Sequence, residues 1–134
     1  LCDGISIAHH QHSHFTTGPM ADAAWNIFKL ERQKENFPLK VEVVNSEIIA
    51  VRNRNEVDLL DKILPFTDEI MRSQLTEVAF GSLEQSPDTD WTINSQLNEP
   101  AGGVHLALGS GETGAHIDFI SSGAVISTHK DIQF

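Results

Sequence analysis

The feature that most constrains the fold is a run of alternating residues near the carboxyl end, interrupted by glycines. Residues 104–108 (VHLAL) and 115–119 (AHIDF) flank the sequence GSGETG. Alternation with a period of two is typical of strands that are buried on one face only, and glycines are typical of the turn between them. We therefore predict an antiparallel hairpin, extended by a strand at residues 124–130 into a three-stranded carboxyl-terminal meander.

Period two divides the side chains of this meander between an apolar face and a polar face. The polar face is predicted to carry His105, His116, Asp118, Ser127 and His129. Pairing around the glycine turn places His105 opposite Asp118, and a turn at residues 121–124 places His116 opposite His129 and Asp118 opposite Ser127. A one-residue shift of any strand would send its side chains to the other face, so the prediction depends on register.

A shared face of histidines and an aspartate has a recognised chemistry. Neutral imidazole binds Zn, Cu, Fe or Ni, and a carboxylate completes the ligand set. Without a metal, histidine beside aspartate forms a general base near neutral pH. We predict His116 and Asp118 as catalytic residues, followed by His105 and His129, with a divalent transition metal, zinc first, as cofactor. The alternative is an ordinary solvated sheet face that carries histidines by chance.

A second histidine cluster lies near the amino end, in the sequence SIAHHQHSHF. In an extended chain His10, His12 and His14 share a face, and in a helix His10 and His14 do so at a spacing of four. We predict these three as metal ligands, together with His116 and Asp118. The alternative is an exposed tract that binds metal without a biological role.

Two short stretches of the sequence resemble known enzyme families. Ala8-His9-His10 resembles the AHH signature of toxin nucleases in the HNH endonuclease superfamily, but the match spans three residues and the chain is not assigned there. Cys2, the single cysteine, excludes an internal disulfide. Papain-like amidases pair an early cysteine with a later histidine, and this resemblance implies a Cys2 nucleophile acting with His105 or His116.

The rest of the pattern predicts a single α+β domain over residues 1–134, with two helical zones packed on an antiparallel sheet. Residues 20–35 (MADAAWNIFKLERQKE) have apolar residues at helical spacing, and residues 39–51 read as a tight hairpin. Residues 55–78 form the second helical zone, split at Pro65. Residues 81–103 are a long polar connection, with Trp91 and Ile93 as its expected anchors.

Charge and length exclude several classes of function. The net charge is −10, from 19 acidic and 9 basic side chains, which disfavours a broad nucleic-acid-binding surface. No apolar run approaches the roughly 18 residues of a membrane span, and no signal-peptide pattern opens the sequence. Because the chain begins with Leu1, it is expected to be a processed protein or a domain from a longer polypeptide.

Three functions follow as expectations. The first is a small metal-assisted hydrolase that activates water against an amide or phosphodiester bond of a small-molecule or polymer substrate. The second is the Cys2–His amidase. The third is a non-enzymatic binding or adaptor domain whose histidines form a metal-binding or pH-responsive patch.

Overall fold

The computed structural model describes residues 1–9, 14–81, 89–99 and 103–124, with the backbone alone at residues 14–16. Its elements confirm a small α+β domain with an antiparallel sheet. In chain order they are β1 (Gly4–Ala8), α1 (His14–Gln33), β2 (Lys40–Val44), β3 (Glu47–Arg52), α2 (Leu60–Ile63), a 3-10 turn (Leu64–Phe66), β4 (Leu75–Gly81), a second 3-10 turn (Gln96–Asn98), β5 (Gly103–Leu108) and β6 (His116–Ser121). Within these ranges no helix is long and apolar enough to cross a membrane.

The main sheet has the strand order β1-β6-β5-β4, and β2 and β3 form a separate two-stranded sheet. The amino-terminal strand β1 pairs with β6 along its length, and β5 occupies the other edge of β6. The predicted meander is therefore wrong in one respect, because β1 fills the place given to residues 124–130. The pairings of His116 with His129 and of Asp118 with Ser127 are wrong for the same reason.

Helix α1 packs against one face of the main sheet and forms about half of the core with it. Ala21, Ala24 and Phe28 recur at helical spacing and are all buried. The ring of Phe28 meets that of Phe119 edge-on, with centroids 6.0 Å apart. The sheet thus has an apolar face toward α1 and a second face on which the polar side chains stand.

The helical predictions need two corrections, whereas the hairpin at residues 39–51 is confirmed as β2 and β3. Helix α1 begins at His14 rather than at residue 20 and contains Pro19. The second helical zone is a single turn, α2, and residues 75–81 form strand β4. Ile70, within the predicted second helical zone, is 97% exposed.

Candidate functional site

The register of β5 and β6 differs from the predicted one by two residues. Ala107 pairs with Asp118, and His105 pairs with Ile120, so the predicted pairing of His105 with Asp118 is wrong. A shift of two, unlike a shift of one, leaves every side chain on its face. His105, His116 and Asp118 therefore still share the face turned away from α1.

The shift arises in the connection between β5 and β6, which bends away from the sheet. The backbone N–H of Ala115 donates to the carbonyl of Phe66 at 2.8 Å, so Ala115 is not available to pair with β5. Asp68 accepts hydrogen bonds from the backbone N–H and the hydroxyl of both Ser110 and Thr113. Burial acts to raise the pKa of Asp68, but these hydrogen bonds outweigh burial and lower it.

A row of facing residues crosses the sheet at Ala107. Glu77 on β4 faces Ala107, Ala107 faces Asp118, and Asp118 faces Ser6 on β1. Facing side chains lie about 5 Å apart on one side of a sheet. The small methyl group of Ala107 therefore forms a floor between the two carboxylates, with His105 two residues away on the same strand and face.

Glu77, His105 and Asp118 form the group with metal-ligand geometry. One ligand atom from each lies within 4.8 Å of the others, and His105 Nε2 is 3.3 Å from Glu77 Oε1. The side chain of Asp118 is 3% exposed and that of Glu77, on the edge strand, is 44% exposed. The Glu77–His105–Asp118 group is therefore buried at Asp118 and open to solvent at Glu77.

His105 is the unusual member of this group. Its side chain is 11% exposed, and neither ring nitrogen has a hydrogen-bond partner among the described residues. Glu77 Oε1 is close enough for an ion pair with His105 but does not meet the ring in hydrogen-bonding geometry. Buried polar atoms almost always have partners, and leaving one unpaired costs about 1–3 kcal/mol. An unpartnered imidazole beside two carboxylates fits a metal ligand.

His116 lies beside the group with its ring orientation fixed. Its Nδ1 is 2.7 Å from the carbonyl oxygen of Gly109, so Nδ1 carries the proton because a carbonyl can only accept. Its Nε2 is 3.3 Å from Asp118 Oδ2 and 3.6 Å from Glu77 Oε2. The Asp118 carboxylate is the main cause that raises the pKa of His116 to about 9. Without a metal the ring is therefore a cation at neutral pH.

Residues 89–99 run along the outer edge of β1 and attach to it by side chains. Trp91 packs on Gly4 so closely that a Cβ at Gly4 would lie 1.9 Å from Trp91 Cε3. Asn94 pairs with the backbone of Ile7: its Nδ2 donates to the Ile7 carbonyl at 2.9 Å, and the Ile7 N–H donates to its Oδ1 at 2.8 Å. The side-chain amide thus takes the place of a neighbouring strand.

The same segment brings a third carboxyl group to the polar face. The hydroxyl of Ser6 donates to Glu99 Oε1 at 2.7 Å, and Ser6 is fully buried opposite Asp118. Burial raises the pKa of Glu99, and the negative charge of Asp118 acts in the same direction. Glu99 is therefore a carboxyl group that holds its proton more tightly than usual.

The structure brings three of the predicted site residues together: His105, His116 and Asp118. His10, His12, Ser127 and His129 lie outside the described residues, and His14 begins α1 with its side chain outside them. Sequence reasoning missed Ser6, Glu77 and Glu99. Residues 75–81 (LTEVAFG) do not alternate between apolar and polar side chains, so the sequence carried no local signal for Glu77.

Cys2 does not have the environment of a nucleophile. Its side chain is buried, and its Sγ donates to the carbonyl of Gly4 at 2.9 Å. Burial raises the pKa of the Cys2 thiol to about 12. Because the thiolate is the reactive form, these observations do not support the Cys2–His amidase.

Comparison with known proteins identifies a family. Residues 1–129 match the family model described as "Crocagin biosynthetic protein CgnE/B". No curated protein matches the chain. The matched residues include the whole Glu77–His105–Asp118 group and the segment 89–99 that lies along β1.

Proposed function

Because the chain belongs to the crocagin biosynthetic protein CgnE/B family, we propose that it is a biosynthetic protein whose polar sheet face holds one divalent transition-metal ion. A bound ion would polarise a carbonyl or amide group of the substrate. One observation carries the argument, the buried and unpartnered ring of His105 beside the carboxylates of Glu77 and Asp118.

The donor set favours zinc among the divalent ions. One imidazole and two carboxylates suit Zn, Fe or Mn, and zinc sites with three protein ligands that keep a position open are typically catalytic. Two carboxylates with one neutral imidazole carry a formal charge of −2, which a divalent ion neutralises. An ion there also supplies the partner that the ring of His105 lacks.

The surrounding residues set the reaction that we propose. A bound ion would supply Lewis-acid polarisation of an oxygen atom. His116, whose Nε2 is 3.3 Å from Asp118 Oδ2, is placed beside the proposed ion site to give a proton to a leaving amine. Glu99 adds a third carboxyl group to this face, after Glu77 and Asp118. The excess of negative charge favours an amide over a phosphodiester, so amide hydrolysis is the reaction we propose.

A metal-free alternative rests on a different observation. His116 and Asp118 are 3.3 Å apart and form a charged pair that can transfer a proton without any ion. In that case His105 would contribute little to the reaction, because its ring does not contact this pair in hydrogen-bonding geometry. Replacement of His105 therefore distinguishes the two proposals.

The test measures the metabolite whose production requires this protein. Deleting the gene identifies that metabolite by mass spectrometry, and complementation with variants then asks which residues restore it. We expect the wild type to restore it and H105Q and A107V to fail, since Val at Ala107 fills the floor between the carboxylates without removing a ligand.

A50V is the matched control for A107V. It adds the same two methyl groups at a buried alanine in β3, in the other sheet, and we expect it to restore the metabolite. Protein amounts are compared by immunoblot so that loss of folding is not mistaken for loss of function. Full production by H105Q, with H116Q inactive, would reject the metal site in favour of the proton-transfer pair.

A further inference from the structure

We propose that a groove between α1 and the edge of β1 is a binding site for a small aromatic carboxylate. The groove has a volume of about 250 Å³. The groove shares no lining residue with the Glu77–His105–Asp118 group. Ligand binding in the groove can therefore be tested independently of the metal site.

The walls are aromatic to an unusual degree for this chain. Both of its tryptophans, Trp25 from α1 and Trp91 from the segment along β1, line the groove together with Phe28 and Phe37. Both indole rings are only partly buried, so they retain open surface that an aromatic ligand can cover. Aromatic rings prefer edge-to-face or offset contacts with other rings, and walls on several sides favour a planar guest over a branched aliphatic one.

The position of Trp91 is fixed by the strand beneath it. The indole lies against Gly4, where a Cβ would come within 1.9 Å of Trp91 Cε3. Only glycine permits this approach. The wall of the groove is therefore built into the backbone of β1, and a substitution at Gly4 is expected to displace the indole.

Two cations line the groove, and the carboxylates of Asp3 and Asp90 lie near one of them, Arg32. The other cation is Lys29, and none of the described lining residues is acidic, although the net charge of the chain is −10. Arg32 is partly engaged: its Nη2 donates to the Asp3 carbonyl at 2.6 Å, and its guanidinium lies 3.8 Å from the ring centroid of Phe37. Lys29, exposed on α1 one turn before Arg32, is the cation that we assign to the carboxylate.

The size of the groove sets the class of ligand. Drug-sized ligands occupy pockets of about 300–1,000 Å³, so a groove of about 250 Å³ suits a fragment with one or two fused rings. A ring between the tryptophans and a carboxylate on a short arm toward Lys29 satisfies both features.

Intrinsic fluorescence offers a direct test, because the chain has no tyrosine and both tryptophans line the groove. The probe is 3-phenylpropionate, with 3-phenylpropanol as its uncharged match. We expect a saturable fluorescence change with the acid and a weaker one with the alcohol. K29Q should weaken binding about twofold to fivefold, the range of an exposed ion pair. K34Q, beyond the end of α1, should leave binding unchanged.

Two further variants test the aromatic walls. W91A should weaken binding about tenfold or more, since it removes both the buried area and the ring contact, and G4A should do the same by displacing the indole. If G4A does not fold, as judged by circular dichroism, the aromatic wall is tested by W91A alone, with the fluorescence of Trp25 reporting ligand binding. An absent or non-saturating response, equal affinity for acid and alcohol, or equal losses in K29Q and K34Q would each overturn the proposal.

Discussion

Replacing Asp118 by Asn should alter the pH dependence of stability in a defined way. In the metal-free protein Asp118 lies 3.3 Å from His116 and raises the pKa of its ring from 6.5 to about 9. The folded state therefore binds this proton more tightly than the unfolded state does. Stability from this source is complete below pH 6.5 and is lost as the pH rises through about 9.

The magnitude follows from the size of the shift. One pKa unit corresponds to about 1.4 kcal/mol, so the full shift corresponds to about 3.5 kcal/mol at most. The side chain of His116 is 20% exposed, and screening by water reduces the expected contribution to about 2 kcal/mol. In D118N the more distant Glu77 remains, so we expect a residual effect of about 1 kcal/mol or less.

Urea unfolding in the presence of EDTA, measured at a series of pH values, gives these free energies directly. We expect the free energy of unfolding of the wild type to fall between pH 6.5 and 9 and that of D118N to fall much less. H116Q, which cannot bind the proton, is the control and should show the smallest slope. A wild-type slope equal to that of H116Q would refute the assigned role of Asp118.

Three further predictions concern the frame around the site. D68A should lower the free energy of unfolding by about 3 kcal/mol, because several hydrogen bonds to a charged group are lost. In the wild type this contribution to stability should disappear as the pH falls below 3.8, the ordinary pKa of an aspartate. A loss below about 1 kcal/mol in D68A would contradict the role of Asp68. Cys2, with its pKa of about 12, should resist thiol reagents at pH 8 until the chain unfolds, and rapid labelling of folded protein would count against its burial. F28A should cost about 3–5 kcal/mol by thermal or urea unfolding, and near-native stability would contradict the packing of α1 on Phe119.

The polar face could be predicted from the sequence because a register error of two residues leaves each side chain on the same face of the sheet. His105, His116 and Asp118 keep the same parity in either register, so their common face was predictable although their pairing was not. The pairing depended on Asp68, which lies more than 40 residues from Ser110 and Thr113 along the chain. A contact of that separation leaves no local signal in the sequence.

Two other parts of the fold, the placement of β1 and that of Glu77, could not be predicted from the sequence. β1 and β6 are at opposite ends of the chain, and nothing in the sequence GISIA specifies which edge it will occupy. Glu77 was missed because the apolar residues Ile70, Met71 and Val78 suit a helical pattern, whereas residues 75–81 form strand β4. The Glu77–His105–Asp118 group was therefore predictable only in part.

The central claim is that the Glu77–His105–Asp118 group binds a divalent ion, and stoichiometric zinc binding tests it most directly. Protein stripped with EDTA is dialysed against Zn²⁺, and the metal content is measured by elemental analysis for the wild type, H105Q, A107V and A50V. We expect one zinc ion per chain in the wild type and A50V and far less than one in H105Q after dialysis, since loss of even an outer partner lowers metal affinity about 10–100-fold. A107V should lose the ion as well. Failure of the wild type to retain zinc, or equal zinc content in H105Q, would contradict the central claim.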